Sequence, residues 1–184
     1  MNKFMIDGRQ MAYRDVGQGP VIVLGHSYLW DSNMWAPQVE QLSQSFRCIV
    51  PELWGHGESD FAPQATRSLK DYAVQILALL DHLDIDEFTL VGLSAGGMWG
   101  AELVALAPQR AKSLVLMDTF VGLEPEVVHK KYFAMLNTIE NELCVPEVIS
   151  DAVVPLFFAN NALQDNPLLV ANFKQSLTEI EGDK

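Results

Sequence analysis

The chain has 184 residues, 49% of them hydrophobic and 20% charged, which is enough for one sizeable core of ordinary globular composition. Its formal net charge of -12 argues against a nucleic acid or an anionic membrane surface as partner, because both would repel it. The start, Met1 to Gly8, lacks the apolar stretch of a secretory signal, and no apolar run approaches eighteen residues. Two cysteines, Cys48 and Cys144, are too few and too scattered for a disulfide framework or a zinc site. They read as small buried hydrophobes, and a reducing cytoplasm is the expected compartment.

Phe4-Met5-Ile6 and Met11-Ala12-Tyr13 flank Asp7-Gly8-Arg9, a hairpin signal. Gly17 to Pro20 breaks the chain. Val21 to Leu24, apolar on both faces, reads as a buried strand that runs into a loop at Gly25 to Trp30. Ala36 to Ser43 reads as a short helix with Pro37 at a tolerated early position. Phe46 to Val50 is the next strand, followed by the turn-rich loop Pro51 to Ser59. From Ser68 to Leu83 apolar residues recur at helical spacing, with Ser68 as N-cap and Asp71 three residues on.

Phe88 to Leu93 then reads as a strand, and the helix after it runs to about Ala107, stopped by Pro108. Between them Gly92, Ser94 and Gly96 spell G-x-S-x-G. In a strand–turn–helix context this motif lifts the serine hydroxyl above the sheet edge on a strained backbone. The helix start aims free N–H groups at the same point, so an anion forming there is stabilised. Lys112 to Met117 is a further strand ending at Asp118. Strands alternating with helices imply a largely parallel sheet of about six strands covered by helices. After Thr119 the pattern turns helical, over Pro125 to Ile139, Pro146 to Ala159 and Pro167 to Ile180; residues 181–184 read as a frayed end. The expected organisation is therefore an α/β core over 1–119 and a helical cap over 120–184.

Three stretches together resemble the α/β-hydrolase superfamily. Gly25-His26-Ser27-Tyr28 resembles its oxyanion loop, with Leu29 to Trp35 resembling the continuation found in small esterases, perhydrolases and lactonases. Pro51-Glu52 through Gly55-His56-Gly57-Glu58-Ser59 resembles the family's Pro-Asp-x-x-Gly-x-Gly-x-Ser turn, and Val91 to Gly97 resembles its nucleophile elbow. Three residues depart from the usual pattern: Ser27 replaces a glycine, Glu52 an aspartate, and Leu93 a frequent histidine.

The resemblance implies the N-terminal part of that fold, with Ser94 as nucleophile and the backbone amides of Tyr28 and Ala95 as the oxyanion hole. It also implies a small-molecule acyl substrate, an ester, lactone or similar compound. Trp30, Leu93 and Met98, with Tyr28, are the candidate lining of an apolar pocket. Trp35, Trp54 and Trp99 could share it or belong to the core. No phosphate-binding loop or metal-ligand spacing occurs, so neither cofactor nor metal is expected.

By the same resemblance the triad acid follows the seventh strand and the histidine the eighth, beyond Lys184. The expectation is a fragment of a protein of about 260 residues, nearly inactive alone, with an exposed sheet edge open to self-association. Asp118 is the one acid of the chain that some family members would use. His26 and His56 read as loop-holding residues, and His82 and His129 as surface residues. The rival reading is a non-catalytic ligand-binding module that keeps the fold and the pocket.

Overall fold

The structure, a computed structural model, describes residues 1–123 and 125–179. Ile180 and the end expected to fray, residues 181–184, lie outside the described residues. The chain divides into two compact units, 1–122 and 123–184.

The first unit holds six strands: β1 (Asn2–Ile6), β2 (Arg9–Val16), β3 (Val21–Gly25), β4 (Arg47–Pro51), β5 (Phe88–Leu93) and β6 (Ala111–Met117). They lie in the order β1-β2-β4-β3-β5-β6. β1 and β2 form a hairpin whose two-residue loop, Asp7-Gly8, takes positive φ at both positions, as a primed turn demands. β2 runs antiparallel to β4; β4, β3, β5 and β6 are mutually parallel. The mostly parallel sheet read from the sequence is the sheet observed.

Alternation along the buried strands divides the core between two faces. Val23, Ile49 and Leu90 point to one side, where α2 (Leu69–His82) and α3 (Ala95–Leu106) bring Ile76, Leu79, Trp99 and Leu103. Ile22, Leu24, Cys48 and Val50 point to the other, against Trp35 and Val39 of α1 (Ala36–Leu42) and the 3-10 turn before it. That turn, Ser32–Trp35, is absent from the sequence reading. α2 begins as expected: Ser68 caps it by accepting the Asp71 N–H, and Asp71 accepts in return from Ser68 Oγ. Because β3, β4, β5 and β6 are parallel, the loops after all four emerge at one edge of the sheet, where ligands bind in open α/β sheets.

The second unit is helical: α4 (Glu126–Glu142), α5 (Glu147–Val153), α6 (Ala162–Asp165) and α7 (Pro167–Thr178). The single helix expected over Pro146 to Ala159 is corrected. It ends at Val153 and tightens into a 3-10 turn, Val154–Phe157, because Pro155 has no N–H to continue the ladder. Phe157 and Phe158 stack edge-on against Phe173 of α7, at 5.1 and 5.6 Å between ring centres. Lys174 reaches from α7 to Glu147 and Asp151 of α5. No helix among the described residues is long and apolar enough to cross a membrane.

Candidate active site

Ser94 sits between β5 and α3 with φ 51° and ψ -117°, a conformation that side chains seldom adopt. Its backbone is held from several directions. Its N–H donates to Met117 O at 3.0 Å, and its carbonyl accepts from the N–H groups of Gly97 and Met98 and from Thr119 Oγ1. The bend is as tight as the flanking glycines suggested. A Cβ on Gly92 would run into the backbone of Gly96, and one on Gly96 into the backbone of Gly25. That second contact brings the loop after β3 against the elbow. The half-buried Ser94 hydroxyl makes no hydrogen bond among the described residues.

The N–H groups of Tyr28 and Ala95 likewise donate to no group among the described residues. Ala95 opens α3, so its amide has no intrahelical partner and carries the positive end of the helix dipole. Trp30, Leu93 and Met98 are each half-buried, while Tyr28 keeps 39% of its surface exposed. Trp35 and Trp99 are buried in the core, their indole N–H groups without a partner among the described residues, and the Trp54 indole N–H donates to Gln75 Oε1. Two surface hollows, one beside Asp81 and Arg110 and one beside Tyr13 and Glu58, do not touch Ser94.

Asp118 lies one residue past β6, exposed, with φ 40° and no side-chain partner among the described residues. Its neighbour Thr119 was missed in the sequence, yet it packs on Gly97 and bonds the Ser94 carbonyl. Position was the only available signal, just past a strand end on the same rim.

The histidines are spoken for. His26 is 1% exposed; its Nδ1–H donates to Ser27 O and its Nε2 accepts the Leu53 N–H at 2.9 Å. Burial lowers its pKa to about 4, against a smaller upward pull from the Ser27 bond. His56 bonds Trp54 O through Nδ1 and accepts the Leu29 N–H through Nε2, and burial lowers its pKa as well. His82 stacks on Phe4 at the end of α2. His129 lies on α4 in the second unit and packs on Phe133.

The unusual Glu52 is 2% exposed and fully engaged. Its carboxylate accepts from Ser32 Oγ at 2.8 Å, from the Ser32 N–H, and from the Glu58 N–H at 2.6 Å. Ser27, in the place of a glycine, is buried and turns its hydroxyl toward Tyr28 O, 3.3 Å away. Of the two cysteines, Cys48 is buried as expected, whereas Cys144 is only half-buried.

A family model described as the alpha/beta hydrolase fold matches residues 16–142. The chain is 32% identical over 166 residues to the dihydrolipoyllysine-residue acetyltransferase component of an acetoin cleaving system from Pseudomonas putida, covering 89% of this chain and 44% of that protein. Against an uncharacterised Mycobacterium tuberculosis protein it spans 33% of the relative's length. Among solved structures it is similar to a thermophilic esterase from Thermogutta terrifontis, with a TM-score of 0.88 at 24% identity, covering 99% of this chain and 68% of that one. It is also similar to an enol-lactonase from Burkholderia xenovorans, with a TM-score of 0.82 at 28% identity, covering 99% and 69%.

Proposed function

From a chain that belongs to the α/β-hydrolase-fold family, we propose the nucleophile-bearing part of a serine hydrolase that cleaves an ester or lactone through an acyl-enzyme. The observation that carries this reading is the Ser94 hydroxyl on its strained bend beside the amide of Ala95, both without a partner among the described residues. Ser94 Oγ attacks the acyl carbon as its proton passes to a general base. The oxyanion is met by the N–H groups of Tyr28 and Ala95, each worth roughly 3 kcal/mol of barrier. Collapse breaks the acyl C–O bond, and the alkoxide leaves with the proton from the base. Water, deprotonated by the same base, then frees the acid and restores Ser94.

The rim segments 25–35, 51–59, 93–99 and 117–123 contain no lysine or arginine, but do contain Asp31, Glu52, Glu58 and Asp118. His26, His56 and His82 are committed elsewhere, so the base is a histidine from outside residues 1–122. Asp118 remains the acid candidate within the core unit.

The test is hydrolysis of p-nitrophenyl acetate. The intact protein is expected to turn it over and to lose that activity in Ser94→Ala, by about a millionfold in kcat as in a related serine mechanism. The 184-residue chain alone is expected near the background rate. An intact protein that binds acyl ligands without Ser94-dependent turnover would establish the rival binding module instead.

A further inference from the structure

We infer that His56 is a positioning residue: together with His26 it pins the two peptide planes on either side of Tyr28, and it does so only while both imidazoles are uncharged. The assignment rests on reading the Tyr28 N–H as an oxyanion donor.

The tautomers follow from the partners. A carbonyl only accepts and an amide N–H only donates. His26 Nδ1 faces Ser27 O at 2.8 Å and its Nε2 faces the Leu53 N–H, so the ring is neutral with its proton on Nδ1. His56 Nδ1 faces Trp54 O at 2.9 Å and its Nε2 faces the Leu29 N–H at 3.3 Å, which fixes the same state. The two bonds run in opposite directions between the loops. His26, on the loop after β3, holds an amide of the loop after β4. His56, on the loop after β4, holds an amide of the loop after β3. The rings lie 5.6 Å apart, with Tyr28 stacked edge-on against His56 at 5.3 Å.

Ser27 C=O and Tyr28 N–H belong to one peptide plane, which is trans, so anchoring the oxygen on His26 aims the N–H the opposite way. Tyr28 C=O and Leu29 N–H belong to the next plane, which is anchored on His56 and on Ser27 Oγ. Leu29 takes φ 68°, a conformation an unsupported leucine would leave. His56 therefore holds the second plane together with Ser27 Oγ and with the turn bond from the Trp30 N–H to Ser27 O at 3.2 Å, and it is the restraint that comes from the other loop.

An added proton would set N–H against N–H at either Nε2. The charged and titratable groups facing the pair are Asp31, which favours protonation of both rings, Glu52, which favours that of His56, the His56 imidazole, which opposes that of His26, and the Tyr28 phenol. Burial outweighs the acids, so the clamp is closed at neutral pH and opens on acidification.

The experiment uses the 184-residue chain and two variants. Histidine side-chain 15N spectra at pH 7 are expected to show both rings protonated on Nδ1 alone, with His26 losing that state as the pH falls toward 4 and His56 losing it on acidification. Amide exchange at Leu29 is expected to quicken roughly tenfold in His56→Phe, and to stay slow in His56→Gln, whose carbonyl can still accept. An Nε2-protonated His56, or equal Leu29 exchange in the two variants, overturns the assignment; the spectra decide the matter even if His56→Phe fails to fold. In the intact enzyme His56→Phe is expected to lower kcat about tenfold to a hundredfold with little change in KM, and His56→Gln to restore it. Clamp signatures without any Ser94-dependent turnover would leave the clamp standing and defeat the hydrolase reading.

Discussion

A serine at φ 51° is held there by its neighbours, and the strain is of order 1–3 kcal/mol. Glycine adopts such angles freely, so Ser94→Gly is expected to melt above Ser94→Ala, which keeps a Cβ in the strained position. Equal or reversed melting temperatures would mean that the bend stores nothing. His26 makes a second residue-scale prediction. Its folded pKa of about 4 lies below its ordinary 6.5, so between those values the unfolded chain takes up a proton that the folded one refuses. The stability this histidine adds is complete above pH 6.5, declines as the pH falls, and is gone below about 4. The full span is about 3 kcal/mol, and His56 acts in the same direction. Denaturant midpoints at pH 7 and 4.5, compared with those of His26→Gln so that the carboxylates cancel, should reveal the loss. A parallel pH response in the two proteins would contradict it.

At the scale of elements, the elbow is a packing problem solved by removing side chains. β5 and α3 can meet at a tight bend because Gly92 and Gly96 let backbone lie on backbone, and Gly96 also admits the end of β3. Gly96→Ala is therefore expected to destabilise the chain by ~3 kcal/mol, or to shift the oxyanion loop away from Ser94. Chemical denaturation would read the first effect and the Tyr28 amide shift the second. An alanine variant with unchanged stability and unchanged loop resonances would show that the contact yields easily. Local patterns made these elements readable: alternation for the strands, the Ser68 cap for α2, and the glycine spacing for the elbow. Where a proline fell inside a periodic stretch, as at Pro155, periodicity alone ran past the true end of α5.

For the whole molecule, the feature that bears on behaviour in solution is the exposed flank of the sheet. β6 is an edge strand, and Val115, Leu116 and Met117 are each 40% exposed or more. Successive residues point to opposite faces, so both faces of this edge are open apolar surface. The 184-residue chain is expected to self-associate through this edge in a concentration-dependent way. Light scattering would detect it, a charged replacement such as Val115→Lys should weaken it, and a strictly monomeric chain at high concentration would exclude it. Two kinds of information remain distinct in this protein. The linear order of residues was enough to determine the α/β architecture, the sharp bend at Ser94 and the loops that flank it, because each depends on neighbours a few positions apart. Only the folded chain decided that Thr119 grips the Ser94 carbonyl, that Glu52 is satisfied by Ser32, and that His56 holds Leu29. Those bonds join residues 20 to 27 positions apart, and hydrogen-bond geometry over such separations is set by how strands pair and loops pack, which no local pattern encodes.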